Sequence, residues 1–222
     1  MGNTTVFTKS LATAAAAANI SASQSPGAGA ILINGTAVTA GVATIDAVTA
    51  TNSAIGRRVI VTSGGNDTGI TFTITGTNAS GNIVSDTFAG VSGGAAQSNL
   101  DFVTVTGATH TGSIASTVTI GTNGVGSSEW RTWSWMSDSP MDLSYAVELV
   151  SGTATFTVEY TYDDPNNLPA GLAFPTSFPS QSINASTATA DGSSTTPVIA
   201  TRLTITTGTG VLRARFIQAG IG

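Results

Sequence analysis

The chain has 222 residues, of which 41% are hydrophobic and only 9% charged, and its formal net charge is −5. That hydrophobic share supports a packed core and excludes a disordered chain, while the charged share is far below the roughly 25% of an average soluble domain. Seven basic residues are too few to track phosphates, cysteine is absent, and no apolar run approaches the about 18 residues of a membrane span. Direct nucleic-acid binding, disulfides, thiolate metal sites and a membrane partner are therefore not expected. Threonine, serine, alanine and glycine fill the gap left by charge. Such a surface loses little desolvation energy when another protein covers it, which fits a subunit of a large assembly.

Residues 1–29 read as an N-terminal arm. Lys9, Leu11 to Ala18 and Ala22 faintly imitate a signal peptide, but the apolar part is short and broken by threonine. Leu11 to Ala18 could make a couple of helical turns with little to bury, and Ser25-Pro26-Gly27 ends any helix. The arm is either a flexible terminus or a strap that orders against a neighbouring subunit, with Phe7 and Leu11 as its apolar contacts.

Strands begin at Ala30. Ile31 and Ile33 precede Asn34-Gly35, a hairpin signal, and Val38 follows on the return. Arg57 to Gly90 reads as a meander of three strands joined by tight turns at Ser63 to Asp67 and Asn78 to Asn82. In it Val59, Val61, Ile70, Phe72 and Ile74 fall at every second position, and Thr71, Thr73 and Thr75 take the wet face. Phe102 to Thr106 and Ile114 to Ile120 close the first unit, and Gly121 to Gly126 is the best boundary in the chain. Beyond it, Leu143 to Leu149 and Ala154 to Tyr162 read as strands, the second with Phe156, Val158, Tyr160 and Tyr162 on one face. Residues 165–180 carry four prolines among Leu168, Leu172, Phe174 and Phe178, an apolar loop that must pack on something. Val198 to Gln218 makes a last hairpin, with Leu212, Ala214 and Phe216 inward and Arg213 and Arg215 outward. The expected fold is all-β: two small antiparallel β-sandwiches, jelly-roll or Ig-like, at 30–124 and 125–222, preceded by the arm at 1–29.

Candidate chemistry is sparse. His110, the single histidine, sits in Thr109-His110-Thr111-Gly112 and reads as a solvated turn residue. Asp163, Asp164 and Asn166 offer the oxygen ligands that Ca²⁺ takes, but their spacing is not that of an EF-hand loop and Asp-Pro-Asn is ordinary turn chemistry. Trp130, Trp133 and Trp135 fall within six residues. They read as core or as a seam between the two units, as a subunit contact, or as a sugar-stacking platform. No nucleophile, acid and base stand together, so no enzyme and no cofactor are expected.

Four stretches, GRRVIVTSGGNDTGITFTITGTNASGNIVSDTFAG (56–90), IGTNGVGSSEW (120–130), TATFTVEYTYDDPNN (153–167) and TRLTITTGTGVLRARFIQAGIG (201–222), resemble segments of structural proteins of tailed bacteriophages. The resemblance covers most of the chain after residue 30 and rests on strands and turns rather than on a catalytic signature. It implies a non-enzymatic virion subunit, assembled in the host cytoplasm and repeated by the symmetry of the particle. A capsid decoration or cement protein is the first expectation, and a head–tail connector or tail component the second. The implied partners are the major capsid protein or head–tail and tail proteins, together with further copies of the chain itself. A carbohydrate- or receptor-binding module is the alternative from another class.

Overall fold

The computed structural model describes residues 3–10, 15–46, 55–133, 142–168 and 175–219, and every regular element among them is a β-strand. In chain order these are β1 (Asn3–Ser10), β2 (Ala16–Gln24), β3 (Gly29–Ile31), β4 (Val38–Thr39), β5 (Val42–Thr44), β6 (Gly56–Asn66), β7 (Thr71–Thr77), β8 (Ile83–Ala89) and β9 (Ser92–Phe102). They continue as β10 (Thr104–His110), β11 (Val118–Ser127), β12 (Arg131–Thr132), β13 (Asp142–Ser151), β14 (Ala154–Thr161), β15 (Phe178–Pro179), β16 (Ala190–Ser194), β17 (Ala200–Gly208) and β18 (Val211–Ala219). The chain forms two compact units. The first comprises Thr13–Val48 and Ala54–Gly126, and the second Met1–Ala12, Thr49–Ser53 and Ser127–Gly222.

The first unit is a sandwich. One layer runs β4–β5–β10–β7–β8, with β3 also on β10, and the other contains β11, β6 and β9, with β2 on β11. Alternation decides which side chains meet between the layers. Val59, Val61, Ile20 and Ile120 come from one sheet, Phe72, Ile74 and Val105 from the other, and all are fully buried in one cluster. The threonines between them stay outside, as their period-2 spacing predicts.

The meander expected over 57–90 is half right. β7 and β8 form a hairpin in the register Thr71↔Ala89 to Thr77↔Ile83, turning at Asn78 to Gly81. β6 does not pair with β7; it pairs with β9 in the opposite layer. The connection between β6 and β7 is therefore an arch between layers. Asp67 makes it possible. This fully buried residue donates its N–H to the Val91 carbonyl (3.0 Å), accepts the Ile70 N–H at its own carbonyl (2.9 Å) and the Ala115 N–H at Oδ1 (2.9 Å). Ser63 to Asn66, expected as a turn, extends β6 instead: Gly64 donates to the Thr117 carbonyl at 2.8 Å.

β8 ends its sheet among the described residues and carries an inward carboxylate, a device that discourages edge-to-edge pairing. Asp86 Oδ2 accepts the backbone N–H groups of Asn99 (2.5 Å) and Leu100 (3.0 Å), tying β8 to β9 of the facing layer. Nearby, the β6–β9 register slips between Arg58 and Ile60, and Ser98 Oγ takes up the Val59 N–H at 2.9 Å.

The N-terminal stretch is not a free arm where it is described. β1 pairs with β18, placing Phe7 opposite Ala214, and β2 lies on β11 with Ile20 and Ser21 fully buried. Ala16 to Ala18, expected as part of a helical turn, is strand. β2 seats closely because Gly121 lacks a side chain: a Cβ there would lie 1.9 Å from the Ala16 carbonyl oxygen. Asn34-Gly35 also serves β2 rather than a tight hairpin. Asn34 Oδ1 accepts the Ala22 N–H (2.9 Å) and Gly35 donates to the Ile20 carbonyl (2.9 Å). The β4–β5 hairpin turns at Ala40-Gly41, both at positive φ.

The second unit is also built of two layers, β1–β18–β13–β16 and β15–β14–β17, with β12 on β17. Leu143, Val147, Leu212 and Ala214 from one and Phe156, Val158, Leu203 and Ile205 from the other are each at most 1% exposed. Arg213 and Arg215 point outward, as their alternation with Leu212, Ala214 and Phe216 requires, and both reach Glu148 (3.3 and 3.6 Å).

Two substitutions test these supports. Asp86→Ala removes the acceptor of the Asn99 and Leu100 N–H groups, which lie in a partly buried site, and should lower unfolding free energy by about 1–2 kcal/mol, read as a reduced urea midpoint at unchanged slope. Gly121→Ala should cost about 1–3 kcal/mol through overpacking against β2, and should speed proteolysis within residues 15–25.

Candidate functional site

The tryptophan segment lies in the second unit, and Trp133 within it is not a surface residue. Trp133 is 5% exposed, its Nε1–H donates to Thr201 Oγ1 at 3.0 Å, and its ring packs on Phe216. It is core, held there by strand β12 immediately before it. Trp130 is half-buried and lies under the Arg202 guanidinium, 4.5 Å from the ring centroid. Arg202 in turn pairs with Glu159 Oε2 (2.7 Å), which also accepts from Thr204 Oγ1 (2.8 Å). Trp135 lies outside the described residues, as do Leu11, Leu172 and Phe174.

The aromatic groups that do face solvent lie at the C-terminal end of β14. Phe156 and Val158 are buried, and the same face continues through Tyr160, half-buried, to Tyr162, which is 51% exposed. A strand face that begins in the core thus runs out to the surface. Phe178, 40% exposed in β15, stacks on Tyr160 with centroids 5.6 Å apart, and Tyr162 meets Tyr160 edge-on at the same distance. Leu168, from the proline-rich stretch, is half-buried. Partial burial, and then Tyr162 beside it, raises the Tyr160 phenol above its ordinary pKa, which already lies well above physiological pH.

Tyr160 and Tyr162 form one wall of a cleft of about 240 Å³. Its floor holds the buried hydroxyls of Tyr145, Ser180 and Thr201 beside Val158 and Val198. Tyr145 donates to the Ser193 carbonyl (3.2 Å) and shares a 2.6 Å hydrogen bond with Ser180 Oγ. The Ser180 hydroxyl also accepts the Ser182 N–H at 3.3 Å. Gln181, Ser182 and residues 193–196 make the rim, and none of the described lining residues carries a charge. Only the Tyr160 and Tyr162 part of this cleft was visible as a pattern. The floor comes from β13 and from the stretch after β15, which alternation alone does not bring together.

The remaining candidates hold backbone. Asp163 Oδ2 accepts the Thr176 N–H (2.7 Å), and Asp164 Oδ1 accepts the Asn166 N–H (2.9 Å) in an Asx turn. Among the described residues, no three His, Cys, Asp or Glu side chains gather where they could hold a metal. His110 is not a solvated turn residue but the last residue of β10, 5% exposed and paired with Phe72. Its Nδ1 lies 2.6 Å from the Gly112 carbonyl, and the buried Nε2 has no partner. It occupies the inward row because Ala108 and His110 continue the alternation past the expected strand end. Arg57, which drew no attention in the sequence, is 2% exposed and donates to the Gly124 carbonyl at 3.2 Å. Burial lowers its pKa, Asp46 pulls the other way, and a guanidinium remains charged throughout.

Comparison of the chain with protein-family models, with curated proteins and with solved structures finds no match.

The core placement of Trp133 has a direct test. Trp133→Phe should cost about 1 kcal/mol by removing the indole N–H, whereas Trp133→Ala should cost about 3–5 kcal/mol, both read from urea unfolding. A surface platform would give changes near zero for each.

Proposed function

We propose that this chain is a non-enzymatic structural subunit of a tailed-bacteriophage virion, a decoration protein that reinforces the capsid through contacts with the major capsid protein. The observation that carries this reading is the outward face of the first unit's β7 layer. Thr71, Thr73, Thr75 and Thr77 on β7 lie beside Ser85 and Thr87 on β8 and Thr104 and Thr109 on β10, by register and alternation. No charged residue stands in these rows. Covering such a face strips water from hydroxyls that already have partners: Thr73 with Thr87 (3.1 Å), Thr75 with Ser85 (3.3 Å) and Thr77 with Thr104 (2.7 Å). The desolvation cost is correspondingly small. Weak contacts of this kind multiply when the subunit repeats over a symmetric lattice.

The use made of the ionisable groups supports a structural role. Asp46, Asp67, Asp86, Asp163 and Asp164 accept backbone N–H groups. Asp101, Glu148 and Glu159 pair with arginines. Groups engaged in this way are positioned to hold loops and strands rather than to exchange protons with a substrate.

The test is the ratio of this chain to the major capsid subunit in purified particles, by quantitative mass spectrometry. A ratio near the lattice stoichiometry is expected. A few copies per particle would move the chain to the head–tail connector or the tail, and absence from particles would overturn the virion reading.

A further inference from the structure

We propose that the tyrosine cleft of the second unit binds a single neutral sugar ring. The inference rests on the cleft itself and does not depend on the virion role. Three features define the ligand. First, no described lining residue is charged and phenols are neutral at physiological pH, so nothing offsets the desolvation of an ionic ligand. Second, the wall is aromatic, with Tyr162 half exposed and Phe178 stacked on Tyr160, which fixes that ring as a firm flat surface. Third, hydroxyl and amide groups surround the opening on the floor and rim: Tyr145 and Ser180 below, Gln181, Ser182, Ser193 and Thr195 above. A pyranose has the complementary chemistry, with C–H groups on a flat face and hydroxyls around its edge.

Size narrows the class further. The volume of about 240 Å³ equals roughly eight water molecules at ~30 Å³ each, below the roughly 300–1,000 Å³ of sites for larger ligands. That suits one ring at the end or on a branch of a glycan rather than a stretch of chain. Selectivity would come from the floor. Tyr145 donates to the Ser193 carbonyl and shares its remaining hydrogen bond with Ser180, so the floor has oxygen lone pairs to offer to a sugar hydroxyl. Because Tyr145 is 6% exposed and Ser180 3%, these acceptors are held in place before a ligand arrives.

The experiment is saturation-transfer difference NMR on the full chain with the methyl glycosides of glucose, galactose, mannose and N-acetylglucosamine. Sialic acid serves as a charged control and adenosine as a flat, neutral, aromatic one. At least one neutral glycoside should receive saturation, strongest at its ring C–H protons, with Kd on the order of 1 mM. Tyr162→Ala should weaken it about tenfold, Gln181→Ala severalfold, and Tyr162→Phe little, since the ring face is retained. Both residues are exposed, so an unchanged amide spectrum away from the cleft will establish that each variant is folded. Transfer to none of the four glycosides overturns the proposal. So does transfer to adenosine or sialic acid alone, or binding that Tyr162→Ala leaves untouched.

Discussion

Both units depend on one constraint: a backbone N–H that leaves its ladder inside a sandwich must still find an acceptor. Leaving a buried donor unmet costs about 1–3 kcal/mol, a large part of a domain's net stability. This chain meets the constraint with short polar side chains. Asp67 holds the arch from β6 to β7, Asp86 holds β9 against the edge strand β8, and Ser98 serves the slip in the β6–β9 register. Asp46 does the same for Ile55, and Thr157 for Ala185 in the second unit. The scarcity of charge and the placement of the acids are thus linked: several carboxylates serve the interior, and the face left outside is hydroxyl.

This explains which parts of the fold were legible. Alternation is local, so the inward rows of β7, β14 and β18 could be read directly: Phe72 and Ile74, Phe156 and Val158, Leu212 to Phe216. Strand partnership is not local. Nothing in Ser63 to Asp67 distinguishes a hairpin within one layer from an arch between two, because both need turn residues. The arch is settled by the reach of Asp67 to Ala115, 48 residues away. The same holds for β2. An alanine-rich stretch has no pattern of its own, and its place is set by the missing side chain of Gly121 on β11. His110 departs from its turn expectation for a related reason, since flanking threonine and glycine mark turns as often as they mark the wet positions of a strand.

The site divides along the same line. Tryptophans drew attention as large aromatic groups, yet Trp133 spends its surface on Phe216 and its N–H on Thr201. The tyrosines reach solvent because the β14 face outlasts the core. Past Val158 the residues of this row are partly exposed, and a phenol tolerates that half-wet position better than a hydrocarbon would. The aromatic residue free to meet a ligand was therefore set by where the core stops rather than by ring size.

The hydroxyl face poses a physical question that its composition answers. A surface without charge has little long-range steering, so binding must rely on low costs rather than strong attractions. Threonine is stiff at χ1, and the cross-strand pairs Thr73–Thr87, Thr75–Ser85 and Thr77–Thr104 restrict it further. A side chain that is already ordered loses little entropy when covered, in contrast to the long lysine or glutamate that would stand there on an average domain. Each contact can then be weak and still favourable. Summed over a repeating lattice, small favourable terms suffice. That is the balance the proposed decoration role requires: individually weak contacts that add up where many sites are presented together.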